Sequence, residues 1–134
     1  MSGQIDWVEL FTSSTGRVAR APFLIAAAVL ITLAALYEAA AGPTMHWLTG
    51  WAVYPALLYS GACLLSRRLH DRGRSGWLAA IIILALIVTW PIPQGFLDFA
   101  FSIVIVWAIV ELGVMGGEQG ANRFGPNPVR TVTA

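Results

Sequence analysis

The chain has 134 residues, 57% of them hydrophobic and only 11% charged, with a mean hydropathy of +0.72. Soluble domains are about half apolar, so the composition points to one membrane-embedded domain over residues 1–134. A net charge of +1 offers no field to draw nucleic acid, and the single Cys63 excludes an internal disulfide or a cysteine-cluster metal site.

In chain order, residues 4–14 come first. Ile5, Trp7, Val8 and Phe11 fall at helical spacing with Asp6 and Glu9 elsewhere on the wheel, which predicts a short amphipathic helix lying on a membrane surface. Four apolar segments follow, at 22–41, 47–66, 77–92 and 96–115. A membrane-crossing helix needs about 20 apolar residues, with a range of about 17–25. The first, second and fourth segments meet this directly. The third is short, but Trp77 and Trp90 bracket it as interfacial anchors, and Pro91 and Pro93 break the helix before the fourth. The prediction is an all-α integral membrane protein with four transmembrane helices. Residues 116–134, rich in Gly, Pro and Asn, read as a solvated tail.

Basic residues orient the spans. All eight are arginine: Arg17 and Arg20 before the first span, Arg67, Arg68, Arg72 and Arg74 between the second and third, Arg123 and Arg130 after the fourth. With four crossings these three regions share one side, and the opposite loops near Gly42–His46 and Pro91–Gly95 hold no basic residue. Positive-inside logic then places both termini in the cytoplasm.

The segment RRLHDRGRSGW, residues 67–77, holds half of the arginines. If the second span continues as a helix, Arg67, Asp71 and Arg74 share one face, and Gly73 and Gly76 end it. Arginine clusters beside a membrane helix attract anionic lipid at about 1 kcal/mol per basic residue. Arg67, Arg68, His70, Asp71, Arg72, Arg74, Ser75 and Trp77, with Asn122 and Arg123 of the tail, are therefore the expected lipid- or partner-binding residues. No residue is assigned a catalytic role. His70 and Asp71, adjacent on a helix, diverge by about 100°, and no nucleophile elbow frames Ser75. Among the acids, Glu111 lies one turn inside the fourth span, and a structural ion pair with Arg67 or Arg68 is expected. Glu38, His46 and Asp98 are too scattered to read as a metal site. No cofactor is expected.

Three blocks carry a resemblance: Trp7, Phe11, Gly16, Arg17 and Arg20 before the first span; Arg67 to Trp77 before the third; and Gly120 to Pro128 in the tail. In this order they resemble the bacterial inner-membrane family known as domain of unknown function 805, the YhaH-like proteins. The resemblance implies a helical inner-membrane protein and carries over no catalytic residues. The expectation is a non-enzymatic inner-membrane protein whose arginine-rich loop and tail bind anionic phospholipids. A membrane protein partner or a second copy of the chain is the other candidate ligand. The alternatives are an oligomeric transporter or channel subunit using the intramembrane acids, and an inner-face enzyme acting on a phosphate-bearing lipid.

Overall fold

A computed structural model describes residues 5–89 and 94–128. The expectations on Trp90, Pro91, Pro93 and Arg130 fall outside these residues. All elements are helical: α1 (Trp7–Thr12), α2 (Arg20–Ala40), α3 (Pro43–Asp71), α4 (Leu78–Thr89) and α5 (Phe96–Ala108), the last continuing as a π-helical turn over Ile109–Val114. Among the described residues the isolated Asn122–Gly125 bridge is the nearest approach to a strand.

Three helices, Arg20–Ala40, Pro43–Asp71 and Phe96–Val114, are long and apolar enough to cross a membrane. Their flanks leave Leu24, Ile25, Ile31, Leu33, Trp51 and Ile103 exposed. An aqueous monomer rarely presents so much contiguous apolar surface, whereas lipid would cover it. This chain is a helical membrane protein.

α3 is longer than the expected 47–66 segment at both ends. Pro43 opens it at a position where a missing N–H costs nothing, and the helix runs through Pro55. At the other end it continues through Arg67–Asp71, because partners described below take up those polar side chains. It closes in a Schellman motif: the Gly73 N–H donates to His70 O at 3.0 Å, the Arg74 N–H donates to Leu69 O at 2.8 Å, and Gly73 takes φ +71°.

α1 is shorter than the expected 4–14 helix. Asp6 caps it, accepting from the Glu9 N–H at 3.0 Å. Leu10 is the buried residue and Phe11 packs beside the core, while Ile5, Trp7 and Val8 are exposed. Burial of Leu10 and Phe11 against the core turns α1 this way as it packs on α3, and Glu9 adds a half-exposed pair to Arg67.

α2 and α4 also pack on α3, and α4 packs most extensively on α5. The core gathers Leu10, Val18, Phe23, Leu64, Leu69 and Leu112. These residues lie around the end of the bundle where α2 begins and where α3 and the π-turn finish. That end carries the arginines.

Candidate functional site at the arginine end of the bundle

Asp71, the last residue of α3, is buried between two guanidinium groups. Its Oδ1 accepts from Arg17 Nε at 3.0 Å and lies 2.9 Å from Arg17 Nη2 as an ion pair, and its Oδ2 accepts from Arg68 Nη1. Arg68 is fully buried. It also donates to Leu112 O at 2.7 Å, Met115 O at 2.6 Å and Val18 O at 3.3 Å. Arg17 donates in turn to Glu118 O at 2.8 Å, Gly120 O at 2.7 Å and Gly125 O at 3.3 Å. Two buried cations thus share one carboxylate, and six backbone carbonyls take up most of their other donors. A buried charge is tolerated only when it is paired and hydrogen-bonded in this way.

The clasp joins distant parts of the chain. Arg17 precedes α2, Asp71 ends α3, and the accepting carbonyls belong to the segment before α2, the π-turn and the tail. The π-turn contributes directly: its wider winding leaves Leu112, Val114 and Met115 carbonyls for Arg68 and for Arg20 Nη1, which reaches Val114 O at 2.8 Å. The Glu118 N–H donates to Asp71 O at 2.8 Å, pressing the tail against the end of α3. Two glycines permit this approach. A Cβ at Gly117 would collide with the Asp71 carboxylate, and one at Gly73 with the Glu118 carboxylate.

Around the clasp lie exposed and half-buried pairs. Arg67 donates to Ser13 O at 2.7 Å and to Glu9 at 2.9 Å. Glu111 is held by Arg72 at 3.0 Å and Arg74 at 3.2 Å, and Arg72 also donates to Gly116 O. Glu111 therefore takes different partners from the expected Arg67 and Arg68. The reason is competition: Asp71 and the carbonyls of the π-turn saturate the Arg68 fork, and Glu9 draws Arg67 to the opposite flank. Arg72, one turn beyond Arg68, then meets Glu111 on the face α3 turns to the π-turn.

The other expected residues surround a groove of about 800 Å³ between α3 and α4. His70, Ser66, Ser75 and Trp77 line its mouth with Phe124; Ala62, Cys63, Ile83 and Ile87 line its depth. Asp71 is not part of this lining, so the groove brings His70 and Ser75 together without the carboxylate. His70 Nδ1 contacts Gly16 O at 2.9 Å, and the ring stacks on Phe124 with centroids 3.8 Å apart and planes 7° from parallel. The Arg123 guanidinium lies 4.7 Å from the Phe124 centroid. Asn122 is a brace: its Nδ2 donates to His70 O at 2.9 Å and Glu118 Oε2 at 2.7 Å, and its Oδ1 accepts from the Phe124 N–H at 2.9 Å.

All ten expected binding residues thus belong to the arginine end, as either clasp, brace or groove. Arg17, Glu9, Gly117, Glu118 and Phe124 also belong to it and were not among those ten. Arg17 had a signal, the first of the three sequence blocks. Gly117, Glu118 and Phe124 lie in a turn-like tail, which leaves no spacing pattern, and the partner of Glu9 lies 58 positions away. At the opposite end, Glu38 meets His46 at 3.4 Å, while Asp98 instead caps α5 by accepting from the Gln94 N–H at 2.8 Å and the Gly95 N–H at 3.2 Å. Among the described residues no three metal-ligating side chains gather.

Long apolar helices closed at one end by a buried arginine–aspartate clasp define a small helical membrane protein. The family described as Protein of unknown function (DUF805) matches residues 11–126, and the chain belongs to that family. The matched range contains every clasp residue. The chain is also 35% identical over 77 residues to the Uncharacterized protein YiiR of Escherichia coli strain K12 and to its counterpart in strain O157:H7. That match covers 52% of this chain and 53% of each relative, so the chain spans about half the length of the curated relatives it matches. No solved structure matches.

Proposed function

We propose that this chain is a non-enzymatic, four-span protein of the bacterial inner membrane, both termini cytoplasmic, whose arginine end binds anionic phospholipid headgroups. The observation that carries this is a division among the arginines. Arg17, Arg67 and Arg68 are buried in or beside the clasp, while Arg20, Arg123 and Arg74, whose side chain is 51% exposed, face outward from the same end. Arg17 and Arg68 direct their guanidinium groups inward, to Asp71 and backbone carbonyls, away from any headgroup. The outward ones lie where headgroup phosphates would be, and guanidinium pairs well with phosphate.

Topology rests on the same geometry. The described arginines belong to one connected end, α2 starts there, and α3 and the π-turn finish there; the α2–α3 connection and the start of α5 form an end without arginine. Positive-inside logic makes the arginine end cytoplasmic. α4 leaves that end and leads to the start of α5 at the other. Its 12 residues rise about 18 Å, against a hydrocarbon core of ~30 Å. The outward-turned Trp77 and snorkelling arginines supply part of the difference.

A binding role is favoured over a catalytic one by what His70 and Asp71 touch. Asp71 is saturated by Arg17 and Arg68, so it orients no base, and His70 Nδ1 is engaged by Gly16 O. The double pairing of Glu111 likewise disfavours a proton- or ion-carrying path through it.

The test is a triple variant, Arg20, Arg74 and Arg123→Gln, reconstituted in nanodiscs of mixed phosphatidylglycerol and phosphatidylcholine. At about 1 kcal/mol per residue, enrichment of phosphatidylglycerol around the protein falls roughly 100-fold while a topology reporter on either terminus is unchanged. Unchanged enrichment would overturn the proposal.

A further inference from the structure

We propose that the α3–α4 groove is a specific site for one anionic phospholipid of the inner leaflet, its acyl chain along the groove and its phosphate at the mouth. This rests on the membrane reading above and gives it an address. The groove is amphipathic along its length. Its depth is lined by Ala62, Cys63, Ala80, Ile83 and Ile87, and its mouth by Ser14, Ser66, Ser75 and His70. A volume of about 800 Å³ lies in the range of roughly 300–1,000 Å³ that small-molecule sites occupy.

Depth selects the occupant. From His70 to Tyr59 the groove follows about 16 Å of α3, close to half of the ~30 Å hydrocarbon core. A partner's transmembrane helix, or a second copy of the chain, would need the full thickness to bury its apolar face. One leaflet's acyl chain needs half.

Charge at the mouth selects the headgroup. Arg123, Phe124 and His70 form a stack, with the guanidinium 4.7 Å from the Phe124 centroid and the two rings 3.8 Å apart. Arg123 is exposed, and no carboxylate pairs with it among the described residues. The Ser75 hydroxyl stands at the same rim, accepting from the Trp77 N–H at 3.4 Å with its own hydrogen available to a phosphate oxygen. An exposed cation against Phe124 of the lining, with the Ser75 hydroxyl at the rim of an apolar slot, complements an anionic amphiphile. A zwitterionic lipid would bring its own cation against Arg123.

The stack has a structural origin. Asn122 folds the tail back by holding His70 O and the Phe124 N–H, and Gly125 closes the turn at φ +133°. The tail that the clasp secures is therefore also one wall of the groove.

The experiment uses the full chain in nanodiscs containing phosphatidylglycerol with a photoactivatable diazirine on its acyl chain, and the same probe as phosphatidylcholine. Cross-linked peptides are mapped by mass spectrometry. Saturable labelling of the 59–66 and 79–87 peptides by the phosphatidylglycerol probe is expected, at least tenfold above the phosphatidylcholine probe. Ala80→Phe, which fills an exposed part of the groove wall, should abolish that labelling at unchanged helical content; Ala62→Phe is the second variant should the first fail to fold. Labelling that rises linearly with probe fraction and ignores the headgroup means annular lipid only, and overturns the site. A partner peptide cross-linked there in native membranes overturns it as well. The two proposals fail separately: groove labelling lost in Ala80→Phe leaves enrichment at the outward arginines intact, whereas absent enrichment with a saturable groove overturns the headgroup surface alone.

Discussion

The two ends of the bundle hold polar groups in opposite ways. At the arginine end, hydrogen bonds join residues 54, 101 and 103 positions apart, as in Arg17 to Asp71, Glu118 O and Gly120 O. At the far end the contacts are local: Tyr37 meets Thr49 at 2.8 Å, Glu38 meets His46 eight positions on, and Asp98 caps its own helix. The first has a buried clasp shared among distant segments. The second is half-exposed, with side chains 29% and 38% accessible in the His46–Glu38 pair. Charge that reads as a topological signal in the sequence is, at the arginine end, also what fastens the tail.

The sharpest way to break that contrast is Asp71→Asn. It removes the only carboxylate between two buried guanidinium groups, and a buried pair that loses one partner costs about 3–5 kcal/mol. A large drop in the detergent-solubilised melting temperature is expected, while a matched His46→Gln at the far end shifts it little. A smaller effect, about 1–3 kcal/mol for forcing atoms into a packed site, is expected of Gly117→Ala, whose new methyl meets the Asp71 carboxylate. Circular dichroism should report unchanged helical content with earlier melting. The smallest is Glu9→Gln. Glu9 is 56% exposed and Arg67 keeps its bond to Ser13 O, so less than about 1 kcal/mol is lost, and added salt should erase the difference from the native chain.

Much of the architecture was legible because lipid-spanning helices advertise themselves as long apolar runs. Segments 22–41 and 96–115 lie within a few residues of α2 and of α5 with its π-turn. The stop at Gly73 was legible too, since glycine is the residue that takes a positive φ cheaply. What the runs could not show was where polar ends stay helical. α3 passes Ser66 by a further turn and a half because Arg67, Arg68 and Asp71 find partners from other segments. Nor could spacing identify those partners. The i,i+3 spacing of Arg68 and Asp71 does allow their pair, but the carbonyl oxygens of Leu112, Met115 and Gly120 leave no mark in side-chain patterns, so the expected Glu111 pair with Arg67 or Arg68 overlooks the groups that occupy those arginines. The three sequence blocks fall in the three chain regions that the clasp and groove bring together.

Asp71, Arg17 and Arg68 fasten the tail to the arginine end of the bundle. Limited proteolysis of the native chain and Asp71→Asn in nanodiscs tests it most directly, with cleavage mapped across residues 116–128. The account predicts a tail protected in the native chain and cut at least tenfold faster in the variant, before any cleavage near the spans. Equal tail cleavage in both chains would contradict it, and would leave the arginines as topological signals alone.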